Sequence, residues 1–427
     1  MTPARLIPIA LAAALGVVAL EGWADPPASG AALAALPANA SPYDAAVHLY
    51  ASAIASAEDR VRARPREWLV REQQARAMFA RGRLTGSYDD YAAAQQMLDA
   101  AFRHAPDGAG PHLAQATLHL LMHRLADAER MLDAIDRYAV PPDRGEQAEM
   151  AGMRGDVFFY RGQYEAAARH YDEAEALAPG SAAFRRAIFH SKTGRPDLAE
   201  QEFGRYERSL SNPGRQLRAN LELQRGILDL DGGRWPEALA HFRRADAIFP
   251  GWWLVEEHIA ETMALLGDKE GAERLYRSIV ERTGSPEFMD ALALLLIARG
   301  ETDEATTLRR RSRAIWGARL RQFPEASFGH ALDHCVAFRD QACALQLAAR
   351  NYAARPYGEA AEQYASVLVD AGRTAEAREM IDRVLASPWR TARTFAVATR
   401  IYTGAGDQTA AARFRAAALE LNPHIFG

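Results

Sequence analysis

Five histidines stand at spacings that could bring imidazole groups together on helices. His330 and His334 lie four residues apart, which places both rings on one face of a helix, as zinc sites require. His112, His119 and His123 fall within a narrow arc of a helical wheel. Histidines packed between helices would give the same pattern, and that interpretation is favoured. We therefore predict no metal or other cofactor, and keep the five as alternative transition-metal ligands.

Two cysteines, Cys335 and Cys343, are the only ones in the chain. On one continuous helix a separation of eight residues spans about 12 Å, which a disulfide cannot bridge. If residues 338–340 form a turn, however, the two cysteines lie on facing helices at equal distances from it. We predict a disulfide across this turn, with two buried free thiols as the alternative. A disulfide would suit an oxidising compartment.

The sequence lacks the common signatures of catalysis. It has no G-x-S-x-G elbow, no phosphate-cradling glycine loop and no H-E-x-x-H pair. The formal net charge of −4 gives no general argument for binding nucleic acid. We predict that the protein is not an enzyme and that its partners do not include nucleic acid.

The candidate residues belong to a pattern that recurs about every 34 residues, a period typical of stacked helical hairpins. An alanine follows each repeated glycine by five residues, and the best copies add an aromatic residue four positions later. The repeated glycines are Gly162, Gly194, Gly233, Gly267, Gly300, Gly372 and Gly406.

One copy, residues 148–181, shows how the pattern specifies a hairpin. It predicts a first helix (helix A) over 148–161, a turn at Gly162, and a second helix (helix B) over 164–177. Glycine suits the left-handed conformation that ends a helix, and Pro179 cannot continue the second one. Gly155 and Ala167 are small where the two helix axes should cross, so the backbones can approach closely there.

At these residues the chain resembles the tetratricopeptide repeat (TPR) family. The resemblance is strongest in the units that end at Pro179, Pro250 and Pro423 and in the unit around Gly267. It implies an all-α, right-handed α-solenoid of about ten repeats over residues 41–427, opened by a capping helix at 41–64. It also implies a concave surface, lined by the A helices, that binds a protein or peptide partner.

In this repeat frame, ten helix A positions face the concave groove. Glu257 and Glu261 lie one helical turn apart, and Asp290 takes the position of Glu257 one unit later. Three acidic groups facing one groove could bind a segment bearing Arg or Lys; a solvated inner face is the alternative. The predicted groove residues are Asp156, Phe159, Tyr160, Ser191, Lys192, Ile227, Leu230, Glu257, Glu261 and Asp290.

The N-terminal residues have the composition of a secretory signal. Arg5 precedes an apolar run over 6–20, and residues 22–24 offer small side chains where a signal peptidase cleaves. We predict a signal peptide at 1–24 and a flexible lead-in at 25–40, with an uncleaved anchor as the alternative. No cysteine precedes Cys335, so we do not expect a lipoprotein. The protein is expected in the periplasm or outside a bacterial cell.

These observations predict an exported scaffold that binds a protein or peptide in its concave groove. A metal-handling or metal-sensing protein is the first alternative, and a structural subunit of an envelope assembly or export machine is the second. The basic run over residues 309–321 is read as a solvated face, so any membrane association is expected to be peripheral.

Overall fold

The computed structural model describes Leu36 and residues 39–427, and every regular element in this part of the chain is an α-helix. The predicted signal peptide and nearly all of the predicted lead-in lie outside the described residues. The helices are α1 Pro42–Ala63, α2 Trp68–Thr85, α3 Tyr88–Phe102, α4 His112–Leu121, α5 Leu125–Ile135, α6 Arg144–Tyr160, α7 Tyr164–Leu177, α8 Ala183–Lys192, α9 Pro196–Ser209, α10 Arg215–Asp231, α11 Trp235–Ile248, α12 Trp253–Leu265, α13 Lys269–Thr283, α14 Pro286–Arg299, α15 Thr302–Gln322, α16 Pro324–Ala337, α17 Gln341–Ala354, α18 Gly358–Asp370, α19 Thr374–Ala386, α20 Ala392–Gly404 and α21 Gln408–Leu421.

From α2 onward the helices pack in consecutive pairs, which gives ten hairpins, from hairpin 1 (α2 and α3) to hairpin 10 (α20 and α21). Helix α1 packs on hairpin 1, and its N-terminus is capped by Ser41, which accepts a hydrogen bond from the Asp44 amide (3.1 Å). The predicted all-α solenoid is confirmed. Among the described helices, none has the length and apolar character needed to cross a membrane.

Inside a hairpin, a small residue on the first helix receives an aromatic ring from the second. A methyl group added at Gly155 would overlap the Tyr171 ring, and one added at Gly226 would overlap the Phe242 ring in the same way. The predicted close crossing at Gly155 is therefore present. Because the helices approach so closely, the aromatic rings are buried and the hairpin packs as one unit.

Two hairpins lack a turn glycine: hairpin 2, where His123 takes the left-handed conformation instead (φ 56°), and hairpin 8, which a disulfide closes. Arg339 takes the left-handed conformation (φ 58°) in the turn between α16 and α17. Cys335 and Cys343 flank this turn with their Cα atoms 5.8 Å apart, and they form a disulfide. The geometry is the one that the equal spacing around residues 338–340 suggested.

Because the helices alternate in direction, the turns within hairpins lie along one edge of the array and the loops between hairpins along the other. We call these the upper turns and the lower loops. The upper turns of hairpins 1–5 contact the starts of hairpins 6, 8, 9 and 10 and the segment after α21, and we call this contact the seam. The solenoid therefore makes two superhelical turns that touch.

Hydrogen bonds cross the seam at intervals along its length. The Trp253 indole donates to the Leu84 carbonyl (3.0 Å), and the Gly358 amide donates to the Tyr164 hydroxyl (2.7 Å). Farther along, the amide of Arg390 donates to the carbonyl of Lys192 (2.9 Å), and the Asn422 side chain donates to the carbonyl of Asp231 (3.1 Å).

Aromatic side chains form the apolar part of the seam. Phe159 and Tyr160 of hairpin 3 pack against Tyr357, and Phe159 also contacts Trp389. These side chains are buried, within one apolar cluster that includes residues of hairpins 1–4 and 8–10. Each such ring pair adds about 0.5–1.5 kcal/mol beyond the burial of its area. The seam is therefore a continuous part of the core.

A matched pair of glycine substitutions can measure how much the seam stabilises the fold. Gly162 and Gly372 have nearly the same left-handed backbone (φ 71° and 73°) in equivalent upper turns. A Cβ at Gly162 would lie 2.6 Å from the carbonyl oxygen of Pro356 across the seam, whereas at Gly372 it would meet nothing within 4 Å. Both alanine variants should lose about 1–2 kcal/mol to backbone strain. Gly162→Ala should lose about 1–3 kcal/mol more, from overpacking.

Urea unfolding followed by circular dichroism would measure both free energies of unfolding. Equal losses in the two variants would show that the seam does not contribute to stability.

Candidate functional site

The structure divides the ten predicted groove residues into two groups of five. Half of them are buried and do not form an open surface in this structure. These residues are Asp156, Phe159, Tyr160, Glu257 and Asp290.

The two aromatic members of the buried group lie in the seam. Tyr160 packs edge-to-face against Tyr357, with ring centroids 5.2 Å apart, and Phe159 lies between Tyr357 and Trp389. Hairpins 9 and 10 thus fill the part of the concave face where a peptide was expected to bind. The partners of these two side chains are therefore residues of the chain's own second superhelical turn.

Two acidic members of the buried group belong to internal networks. Asp156 accepts hydrogen bonds from the Arg185 guanidinium (3.0 Å) and the Tyr171 hydroxyl (3.0 Å). Glu257 lies 2.6 Å from Nδ1 of His258, and both side chains are buried. Burial lowers the pKa of His258, but the adjacent Glu257 carboxylate outweighs it and raises this pKa to about 9. These carboxylates stabilise neighbouring side chains of the same chain.

The other five predicted residues are half-buried. They lie in the C-terminal halves of three consecutive A helices, α8, α10 and α12. Lys192 forms an ion pair with Asp231 (3.2 Å), whose side chain is exposed. Burial and the charge of Glu257 raise the pKa of Glu261. We call this surface the inner strip; it comprises Ser191, Lys192, Ile227, Leu230, Asp231 and Glu261.

Asp290 is the centre of a small cavity between α14, α15 and α16. Its carboxylate accepts hydrogen bonds from the Ser312 hydroxyl (2.5 Å), the Trp316 indole (3.1 Å) and Nδ1 of His334 (3.0 Å). Because Nδ1 of His334 faces the carboxylate, Nε2 is the nitrogen left to face other partners. The space in the cavity that a water-sized group can enter is about 10 Å³, which is room for about one water molecule.

Three more titratable side chains line this cavity. Glu287 is held by Arg319 (2.7 Å), and His330 stacks on the ring of Trp316. Burial lowers the pKa of His330. Burial also raises the pKa of Asp333 to about 7; Arg393 opposes this shift, and the charges of Glu359 and Asp290 reinforce it.

The cavity offers hydrogen-bond acceptors to a ligand. Its lining consists of three carboxylates, two imidazoles, an indole and Ala337, with no serine, cysteine or lysine among them. The Ser312 hydroxyl beside the cavity already donates to Asp290. The arrangement can therefore receive a small cationic donor, such as an ammonium group.

Sequence reasoning placed His330 and His334 on one helix face but did not bring Asp290 to them. They meet because α14 and α16 begin successive hairpins, so their inner faces are neighbours. Ser312 and Trp316 were missed altogether. Their spacing of four on α15 puts both on one helix face, which was the available signal.

The other three histidines contact different groups. His112 pairs with the Tyr138 hydroxyl (2.6 Å), His119 with Gln115 (3.0 Å), and His123 lies in an upper turn against Tyr160. Burial lowers the pKa of all three, that of His119 to about 4. Across residues 39–427 no three His, Cys, Asp or Glu side chains are arranged to hold a metal ion.

Charges from opposite sides of the superhelix interact across its interior. Burial lowers the pKa of Lys192, but the carboxylates of Asp231, Glu359 and Glu362 outweigh it and raise this pKa. Arg393 lies 3.7 Å from Glu362, and its charge also reaches Asp333. The inner strip and the cavity are therefore parts of one interior surface in which carboxylates outnumber cations.

Comparisons with known proteins return tetratricopeptide repeat structures at low similarity. No family model and no curated protein matches the chain. PilF of Pseudomonas aeruginosa is 18% identical, with a TM-score of 0.35 over 53% of this chain and 99% of that one. A tetratricopeptide repeat protein of Parabacteroides merdae is 16% identical, with a TM-score of 0.35 over 59% and 93%. Yeast Tom70 is 13% identical, with a TM-score of 0.41 over 90% of both chains.

The ten consecutive hairpins of the chain itself make it a TPR-like α-solenoid.

The raised pKa of Asp333 predicts a particular pH dependence of stability. Between about pH 4, the ordinary pKa of aspartate, and about pH 7, the folded chain holds a proton that the unfolded chain has released. Stability must therefore fall as the pH rises through this window. Asp333→Asn removes the effect, so the variant should gain stability relative to the wild type between pH 5 and pH 8.

Urea unfolding at the two pH values would measure this change, with Glu237→Gln on the exposed face of α11 as the control. A stability difference between variant and wild type that is the same at both pH values would contradict the assignment.

Proposed function

We propose that this protein is a non-enzymatic, exported scaffold that binds a protein partner through a basic segment of that partner. The binding surface is the inner strip, continued toward the cavity at Asp290. The observation that carries the proposal is the excess of carboxylates on one interior surface, beside apolar side chains that remain accessible.

The acidic interior favours a cationic partner for electrostatic reasons. Neighbouring carboxylates repel one another and so raise one another's pKa. A bound ammonium or guanidinium group would relieve that repulsion. Burial raises the pKa of both Glu261 and Asp333, and neighbouring carboxylates raise both further. In a partly desolvated interior such interactions are stronger than on an exposed face.

The apolar members of the inner strip give the partner a second kind of contact. Ile227 and Leu230 lie three residues apart, on one face of α10, and both are half-buried. An extended or helical segment with a basic residue near an apolar one would match this surface. The prediction of groove binding is thus kept, but on a shorter stretch of the concave face.

Charge reversal on the inner strip tests the proposed surface. A fluorescein-labelled peptide of alternating Lys and Leu should bind the wild type, and the same peptide with Glu in place of Lys should not. Asp231→Lys/Glu261→Lys should weaken binding of the basic peptide at least about tenfold, equivalent to about 1.4 kcal/mol. Fluorescence anisotropy would measure the dissociation constants at low and physiological salt, because screening should weaken the interaction.

The control is Glu165→Lys/Glu237→Lys, the same charge change on the exposed faces of α7 and α11. Equal weakening in both double variants would show that only net charge matters. Undiminished binding to the inner-strip variant would reject the surface.

Export of the protein is tested separately. N-terminal sequencing of the mature protein should begin at Asp25, after the predicted signal at residues 1–24. An intact Met1 on all molecules would contradict cleavage and leave the anchor as the alternative.

A further inference from the structure

The seam covers the upper turns of hairpins 1–5. The corresponding upper turns of hairpins 6–10 are not covered by other described residues. In the first superhelical turn, a Cβ added at Gly86, Gly162 or Gly194 would lie within 3.3 Å of an atom of the second superhelical turn. A Cβ added at the equivalent glycines of the second superhelical turn would meet no atom of the described residues within 4 Å. These uncovered glycines are Gly267, Gly300, Gly372 and Gly406.

The structure therefore has two free edges that correspond to the two sides of its own seam. We call the upper turns of hairpins 6–10 the upper rim, and the lower loops of hairpins 1–5 the lower rim. The upper rim comprises residues 266–268, 300–301, 338–340, 371–373 and 405–407. The lower rim comprises residues 64–67, 103–111, 136–143, 178–182 and 210–214, together with the start of α2.

The large exposed apolar side chains lie mainly on these two rims. Among the described residues five such side chains are exposed, and three of them are rim residues. Leu69 (47% exposed) and Val140 (79%) lie on the lower rim, at the start of α2 and in the loop before α6. Leu266 (44%) lies on the upper rim, and Ile297 (42%) lies in the last turn of α14, next to that rim. Single exposed apolar residues are common, but their concentration on two matching edges is specific.

A tryptophan also recurs at equivalent positions of the two superhelical turns. Trp253 is the first residue of α12, and its indole makes the seam hydrogen bond to Leu84. Trp68 is the first residue of α2, the equivalent helix one superhelical turn earlier, and it lies on the lower rim. The lower rim thus carries a half-buried tryptophan, Trp68, at the position where Trp253 makes a contact across the seam.

We propose that the upper rim of one copy of this chain binds the lower rim of a second copy, head to tail. The contact would repeat between molecules the geometry that the seam makes within one molecule. Such an interface is heterologous: each copy uses a different surface, so association does not end at a dimer unless the ring closes. Because the two sides are no longer linked in one chain, the contact should be weaker than the seam and depend on concentration.

Light scattering coupled to gel filtration tests this with the full chain. The wild-type mass should rise above that of one chain, 46.9 kDa, as the loading concentration increases from micromolar toward millimolar. A wild type that keeps the mass of one chain over this range would overturn the proposal, whatever the variants do.

Blocked-rim variants give the discriminating result. Leu266→Glu/Ile297→Glu blocks the upper rim, and Leu69→Glu/Val140→Glu blocks the lower rim. Each alone should stay monomeric, whereas an equimolar mixture should give a complex with one copy of each and nothing larger, because each partner keeps one working rim. Leu198→Glu, at an apolar position exposed outside the free rims (37%), should associate like the wild type.

Circular dichroism would show that each variant is folded before it is compared. Self-association of either blocked variant, or a mixture that contains only monomers, would contradict a head-to-tail contact.

Discussion

The seam between the two superhelical turns is the contact on which the rest of this structure depends. A solenoid of helical hairpins needs only contacts between neighbouring units. Here each of the first five hairpins also contacts a unit about five hairpins later, through aromatic rings and hydrogen bonds such as that of Gly358 to Tyr164. The winding of the solenoid is therefore fixed by side-chain packing. The same packing decides which parts of the concave face remain available to a partner.

The periodicity of the sequence was enough to predict the fold. All seven glycines that marked the repeat have the left-handed backbone that a hairpin turn needs, and small residues such as Gly155 lie where two helices cross. Local rules of this kind depend only on neighbouring residues. They fixed each hairpin and the stacking of one hairpin on the next.

The seam could not be predicted in the same way, because it depends on the sum of small rotations between successive hairpins. A few degrees per unit decide whether the sixth hairpin passes beside the first or touches it. Phe159 and Tyr160 were therefore predicted to face a partner, whereas both pack against Tyr357 of the same chain. Asp290 and His334, far apart in sequence, were each noticed, but their contact required the relative position of α14 and α16.

The seam should also change how the array responds to stress. An open solenoid can lose terminal repeats one at a time, since each contributes its own stability and one interface. In this chain the C-terminal residues near Asn422 are held by hairpin 5, which lies in the middle of the sequence. Fraying of hairpin 10 would therefore break contacts to hairpin 4 as well as to hairpin 9. Contacts between residues so distant in sequence form slowly during folding, but once made they couple the two superhelical turns into one cooperative unit. A rigid interior surface is what the inner strip needs in order to present its charges at fixed separations to a partner.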